Sequence, residues 1–422
     1  MVEIPKKVEY IIEELTNNGF EAFAVGGCVR DTILGRNPQD WDVTTSASPM
    51  DVKRIFKRTI DTGIQHGTVT VMLDKEGFEV TTYRIDGEYE DSRHPKEVTF
   101  TTNLTEDLRR RDFTINAMAY NPKSGIVDEF DGIEDLDNKI IRCVGVAKER
   151  FTEDALRILR AVRFSAQLGF EIEAETREAA KELAPTLKKI SRERIQSELS
   201  KLMVSPHPDY VKELNSLSLN ENIFEDRIII NEHTLRMLLA VRDDKVLRWT
   251  ALLQEESTTE RAKEILRGLK FDNYTINHVS RLTKWLRCEI APDKASVRRA
   301  VNKIGEDIFE LLLEAKKAFY ESMPYLPVKA GVYGIEEAEK ADKLKLLEDV
   351  KGLYESVIEN GDCVSLKQLA VGGNDIIKAG LAKGQGIGEL LEYLLDIVLD
   401  DPTENERENL LRMAEEYKKK EQ

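Results

Sequence analysis

Two aspartates one residue apart, Asp40 and Asp42, follow a Gly-Gly turn in VGGCVRDTILGRNPQDWDV (25–43). On a strand the side chains alternate, so these two carboxylates are expected to point the same way. Like charges held that close need a cation between them. Paired carboxylates after a glycine-rich turn suit two-metal phosphoryl chemistry, with divalent ions polarising a triphosphate and acidifying an attacking hydroxyl. Gly26 and Gly27 let backbone N–H groups approach a phosphate, and Arg30 adds a charged donor. A third carboxylate commonly comes from a neighbouring strand, and Glu79 in FEVTTYR is the candidate. In isolation a D-x-D pair is more often surface decoration. The spacing to G-G-x-V-R-D is what gives it weight.

Further along, Asp154 and Arg157 are three residues apart, with Glu153 beside them, at what reads as the opening of a helix, where they would be surface neighbours. The bland reading is an ordinary salt bridge. Their chemistry allows more: a carboxylate accepts from an exocyclic amine and a guanidinium donates to a bare ring nitrogen. Adenine and cytosine both present that pair, whereas guanine and uracil present a carbonyl and an N–H. A site that leaves buried polar groups unpaired rejects the wrong base strongly. Arg160 and Arg163 continue the spacing, winding round the helix at 100° per residue. A structural ion pair is the alternative for Arg163.

The elements that must carry these residues are legible in outline. Residues 5–18 pattern as an amphipathic helix with Val8, Ile11, Ile12 and Leu15 on one side. Residues 23–25 read as a short strand, and 67–73 and 78–85 as a hairpin through 74-DKEG-77. Residues 86–100 are polar and turn-rich and read as a loop. FTEDALRILRAVRFSAQLG predicts a helix with Thr152 as N-cap and Gly169 at its end. From about residue 150 to the end the pattern is helical, with breaks at 205-SPHPDY-210, 292-PD-293 and 324-PYLP-327. The segment 403–422 reads as a charged, exposed helix.

With 422 residues the chain is too long for one compact core. A net charge of −16 argues on its face against nucleic acid, though a local basic groove is compatible with it. Cys28, Cys143, Cys288 and Cys363 are scattered with no CxxC pair, which disfavours a disulfide framework or zinc ribbon and fits a reducing cytosol. No apolar run reaches membrane-spanning length, and the N-terminus does not read as a signal peptide. His66 fits a strand-start turn better than a metal site.

The ordered set GGCVRD, DWD, RRRDFTINAMAY (109–120) and EDALRILRAVRF (153–164) resembles the class II tRNA nucleotidyltransferase family, which includes CCA-adding enzymes and bacterial poly(A) polymerases. The resemblance covers the first ~200 residues motif by motif and continues more weakly through 247-LRWTALL-253 and 266-LRGLKFDN-273. It implies an α+β fold: a small nucleotidyltransferase head (1–144), a helical neck (145–205), a helical body (206–325) and a helical tail (326–422) that binds tRNA. By resemblance, Asp40 and Asp42 hold Mg²⁺, Gly27 and Arg30 meet the triphosphate, and Arg111 contacts the nucleotide. Asp112 organises that turn or the sugar contact, Asp154 and Arg157 act as a template that reads the base, and Arg160 and Arg163 lie near the nucleotide. The loop 84-RIDGEYEDSRHPKEV-98, with Arg84, Asp86, Tyr89, Asp91 and Arg93, is long, which in the family favours adding the terminal A. The family carries an HD phosphohydrolase domain in some members, and no HD pair occurs here. The expected partners are CTP, ATP and a tRNA lacking its complete 3′ CCA, in the cytoplasm. Poly(A) polymerase, a CC- or A-only enzyme, and a silent RNA-binding protein of the same fold are the alternatives.

Basic runs at Lys188, Lys189, Arg192, Arg194 and Lys201, and at Lys284, Arg287, Lys294, Arg298, Arg299 and Lys303, are candidate RNA contacts or simply solvated faces. The glycine-rich 371-VGGNDIIKAGLAKGQGIGELL-391, with Lys378 and Lys383, could admit a phosphate backbone or serve as a helical connector.

Overall fold

The computed structural model describes residues 3–87, 98–256, 258–324 and 336–421. Its contacts divide the chain into two compact units, Met1–Ile228 with Gly268–Lys270, and Ile229–Arg267 with Phe271–Gln422.

The first unit begins with α1 (Lys6–Asn17), whose buried side is Val8, Ile11, Ile12 and Leu15, the four residues the period predicts. Then come β1 (Ala22–Val25), α2 (Gly27–Ile33), β2 (Val43–Thr45), α3 (Pro49–Ile55), β3 (Thr59–Gly63), β4 (Thr68–Leu73) and β5 (Glu76–Thr82). His66 closes a single 3₁₀ turn ahead of β4. The β4–β5 hairpin turns at Asp74 with φ 57°. Arg84–Asp86 (β6) pairs antiparallel with Val98–Phe100 (β7), so both ends of the expected loop form a small ribbon. Tyr89, Asp91 and Arg93 lie outside the described residues.

After α4 (Leu104–Arg109) a 3₁₀ turn leads to β8 (Met118–Asn121) and β9 (Gly125–Asp128). The seven-stranded sheet runs β3-β4-β5-β2-β1-β8-β9, with β2 and β5 parallel and the other neighbours antiparallel. The α5 helix (Gly132–Asp137) and β10 (Ile140–Ile141) close the sheet-bearing part. Helices then take over: α6 (Ala147–Glu153), α7 (Leu156–Leu168), then β11 (Glu171–Ile172), α8 (Ala174–Leu183) and α9 (Arg192–Met203). Gly169 ends α7 at φ 71°, as the left-handed cap requires. Thr152 is not an N-cap. It lies inside α6 and its hydroxyl donates back to the Lys148 carbonyl, while the break between helices falls two residues later. The mixed sheet followed by helices is the expected α+β arrangement.

Among its described residues the second unit has helices and 3₁₀ turns but no strand. The final helix, Arg407–Glu421, is less exposed than its charge suggests. Leu410 and Ala414 are fully buried in a cluster with Leu390, Leu394 and Val398 from Gly386–Asp400. All four cysteines are free thiols, Cys288 being the exposed one. Among the described residues, no helix is long and apolar enough to cross a membrane.

Candidate nucleotide and metal site

Asp40 and Asp42 lie immediately before β2 rather than within it. Asp42 is nonetheless held to the sheet, its carbonyl accepting from the Val25 N–H at 3.0 Å. The β2–β5 register pairs Val43 with Val80, so stepping back one residue brings Asp42 alongside Glu79. Burial of the carboxyl, followed by the negative charges of Glu79 and Asp40, pushes Asp42 above its ordinary carboxylate value, and Arg111 opposes the shift. By surface all three residues are nonetheless exposed, so the Asp42 carboxyl is crowded by the chain around it rather than sealed from solvent. Among the described residues no three His, Cys, Asp or Glu side chains converge as a ready-made metal group. The trio is coupled by charge yet open.

Gly26 supplies the turn beside them. Its φ of 83° is what calls for glycine, and a Cβ there would stand 2.8 Å from Arg111 Nη1, so a side chain would also displace the arginine lying on it. Gly27 opens α2. Arg111 follows α4. Burial lowers its pKa, with Asp107, Asp42 and Asp112 pulling the other way, and guanidinium remains charged. Its Nε is buried without a hydrogen-bond acceptor.

Arg30 is placed differently from a free phosphate donor. It is 7% exposed, ion-paired with Asp31 at 2.8 Å, and donates to Asn116 Oδ1 at 2.6 Å. Asp112 is the centre of the next layer. One oxygen accepts from the Phe113 N–H and the Asn116 amide, and the other from Arg160 at 2.6–2.8 Å. Burial acts against its charge, but Arg160, Asn116 and Arg157 outweigh it and hold the carboxyl well below the usual range. The guanidiniums of Arg30, Arg160 and Arg163 lie 5.0, 5.3 and 3.9 Å from the Phe164 ring. Arg163 also pairs with Glu198 at 2.6 Å and donates to Gln167, which is the ion-pair alternative for this residue.

Asp154 and Arg157 do not sit as two neighbours on one helix surface. Asp154 occupies the break between α6 and α7 in an extended conformation. One of its oxygens accepts from the Leu156 N–H at 3.0 Å, and the other pairs with Arg194 at 2.7 Å. Arg157 turns to Glu153 at 2.6 Å and to the carbonyls of Arg110 (2.9 Å) and Arg150 (3.2 Å). At the break the Asp154 N–H still donates to the Arg150 carbonyl, but its extended backbone turns the chain, and Arg157 lies against the segment that carries Arg111. Buried donors at Arg150 Nε and Arg194 Nη1 lack acceptors. Such spare cationic donors suit an anionic or base-bearing ligand.

Four residues of this layer escape a reading from spacing: Asp107, Asn116, Arg194 and Glu198. Arg194 is visible in the sequence only as one cation in a basic run, because its partner Asp154 lies 40 residues away. Asp107, fully buried between Arg110, Arg111 and Thr44, looks like an ordinary first-turn acid of a short helix.

In the second unit the two arginines of the basic run at 294–303 are spent internally, while Lys294 and Lys303 are exposed. Arg298 donates to Leu399 O, Asp362 and Asp400 O, and Arg299 pairs with Asp396 and Asp400. The stretch 371–391 forms Gly373–Lys378 and Gly386–Asp400 with a turn between, and Lys378 and Lys383 are exposed.

A mixed sheet with charge-coupled carboxylates at the edge of a glycine turn, backed by an arginine-lined helix break, defines a nucleotidyltransferase head. Residues 22–142 match the family described as the poly A polymerase head domain. Residues 169–227 match a probable RNA-binding site of that polymerase group, and 242–414 match tRNA nucleotidyltransferase domain 2. The CCA-adding enzyme of Lactiplantibacillus plantarum is 38% identical over 416 residues, covering 96% of this chain and 94% of its own. That of Enterococcus faecalis is 35% identical, covering 98% and 97%. The crystal structure of the Bacillus stearothermophilus CCA-adding enzyme in complex with CTP is similar, with a TM-score of 0.77, 31% identity, and 99% and 98% of the two chains covered. The chain belongs to the CCA-adding enzyme family of nucleotidyltransferases.

Proposed function

We infer that this protein adds C, C and A in turn to the 3′ end of tRNA, using CTP and ATP and releasing pyrophosphate. The observation that carries this is similarity along the whole chain, rather than the head alone, to enzymes of that name. A poly(A) polymerase shares the head; the match of 242–414 to a tRNA nucleotidyltransferase domain favours tRNA. We assign residues 1–144 as catalytic head, 145–205 as neck, 206–325 as body and 326–422 as tail, working in the cytoplasm.

Asp40 and Asp42 are the residues that would hold Mg²⁺, with Glu79 beside them. The donor set fits: hard oxygen ligands, mutually repelling, with Asp42 held above its ordinary pKa by burial and by the charges of Glu79 and Asp40 against the pull of Arg111. Mg²⁺ typically takes one or two carboxylates and completes its shell with water and substrate phosphates, which agrees with a trio that is not a closed cage. When bound, the ion would lower the pKa of the attacking 3′-hydroxyl and offset charge on the α-phosphate.

The chain's own residues do the rest. Gly26 and Gly27 allow close approach of phosphate, and Arg111 brings its guanidinium charge to it. Asp112 fixes Arg160, and Phe164 supports the guanidiniums around it. Arg30 and Arg163 act from behind this layer, through Asn116 and Glu198. Asp154 and Arg157 read the base, and an incoming amine would take the place of Arg194 on the Asp154 carboxylate. The bare ring nitrogen would take a donor of Arg157.

The test is incorporation on a tRNA transcript ending at its discriminator base, with Mg²⁺ and each nucleotide alone or together. CC from CTP alone, then one A once ATP is present, is expected. A long ladder from ATP alone would move the protein to poly(A) synthesis.

A further inference from the structure

Asp107 has 0% exposure and carries more partners than a lone structural acid needs. Its Oδ1 accepts from Arg110 Nε at 3.0 Å and Arg110 Nη2 at 2.8 Å, and from the Arg84 N–H at 3.4 Å. Its Oδ2 accepts from Thr44 Oγ1 at 3.0 Å and stands 3.7 Å from Arg111 Nη2. One carboxylate thus joins three elements: β2, two residues past Asp42; the first residue of β6; and the end of α4, where Arg110 and Arg111 follow.

Burial of this charge is costly and is offset only by good pairing. Burial works against ionisation, and Arg110 and Arg111 overcome it, so the carboxyl lies below its ordinary value and stays charged. Arg110 places both of its prongs on Oδ1 and leaves the other oxygen to Thr44 and Arg111. The second oxygen instead faces Arg111 at ion-pair rather than hydrogen-bond distance. That attraction holds the arginine, whose Nη1 would clash with any Cβ at Gly26, without consuming its Nε donor.

We propose that Asp107 is a positioning residue of the nucleotide site: it holds Arg111 against the Gly26 turn, so that an arginine already immobilised and only partly neutralised meets the triphosphate. This rests on the reading of Arg111 as a triphosphate contact. A group fixed before binding costs less ordering when the ligand arrives, and a misplacement of about an ångström is enough to weaken a phosphate contact tenfold or more.

The test is a double-mutant cycle in the full-length chain with Asp107→Asn, Arg111→Ala and the pair. KM and kcat for CTP are measured on the tRNA transcript, and the Kd for CTP by equilibrium binding without RNA. Asp107→Asn is expected to raise KM and Kd about tenfold with kcat changed less than about threefold. Combined with Arg111→Ala it should add nothing, because its effect runs through that side chain. Effects that multiply, or a Kd unmoved by Asp107→Asn, would overturn the proposal while leaving Arg111 in its role. An Arg111→Ala enzyme with unchanged Kd would overturn that role itself. Should Asp107→Asn not fold, Thr44→Val removes one bond from the same carboxylate. It should raise Kd about threefold when Arg111 is present and not when it is absent, and an equal rise in both backgrounds would count against the proposal.

Discussion

Arg111 and Arg298 are both largely enclosed guanidiniums beside aspartates, one in each unit, and they are used in opposite ways. Arg298 is 3% exposed, and each of its three nitrogens has an acceptor: Leu399 O, Asp362 and Asp400 O. It is engaged at every nitrogen and almost wholly enclosed. Arg111 is held at 3.7 Å by one carboxylate and keeps a buried Nε with no acceptor, next to an Asp42 whose own charge is under-compensated. A fully matched buried arginine is a staple. An incompletely matched one, facing an incompletely matched carboxylate, is a site waiting for charge and hydrogen bonds from elsewhere.

That contrast can be broken by mutation. The largest effect is expected for Asp42→Asn, which should lower nucleotide incorporation about a thousandfold. Because Asp42 is repelled by Glu79 and Asp40, the melting temperature should stay level or rise. A variant that melts lower and still incorporates nucleotide would make Asp42 a staple too.

Next comes Arg298→Ala. It strands the buried Asp362 carboxylate and two carbonyls and should cost about 3 kcal/mol in urea unfolding of the full chain. The Kd for CTP should not move. A shift in that Kd without loss of stability would erase the distinction between the two arginines.

Lys316 sharpens it through pH. It is 3% exposed, and its Nζ donates to the carbonyls of Leu286 and Cys288. Burial pushes its pKa from 10.5 down to about 8. Below pH 8 both folded and unfolded chains hold the proton, and the folded one bears the full cost of the buried charge. Between pH 8 and 10.5 the unfolded chain binds more protons, so this group makes stability rise with pH. Wild type should gain on the order of 2 kcal/mol relative to Lys316→Met between pH 7.5 and 9.5. Parallel stability curves for the two proteins would show that Lys316 does not titrate there.

The smallest effect is expected at Arg299, whose pairs with Asp396 and Asp400 are partly solvated. Arg299→Ala should cost less than about 1 kcal/mol, vanishing in high salt. A larger loss in the same unfolding assay would place it with Arg298.

The basic run that contains these two arginines shows what spacing leaves open. Lys294, Arg298, Arg299 and Lys303 look alike in sequence, and Arg298 is a buried, paired charge only because Asp362 and the 399–400 carbonyls arrive from some 60 and 100 residues away. Arg163 is a similar case, with Glu198 as the partner that periodicity does not reveal.

What the sequence determined by itself was local or chemical. The 3.6 period selected Val8, Ile11, Ile12 and Leu15 as the buried side of α1, because a helix can bury only one face. Gly169 ended α7, because a left-handed cap favours a residue without Cβ. The order and spacing of the motifs pointed to the family, since carboxylate pair, glycine turn and arginine cluster need particular side chains. Tertiary structure decided the pairings: Asp42 beside Glu79 through a parallel β2–β5 register, Asp112 on Arg160, Asp154 on Arg194 rather than Arg157, and Asp107 under Arg111. The physical reason is reach. A backbone pattern specifies which face a residue occupies, whereas the partner of a buried charge is whichever opposite charge the packed chain brings within about 4 Å, and that depends on every element between them.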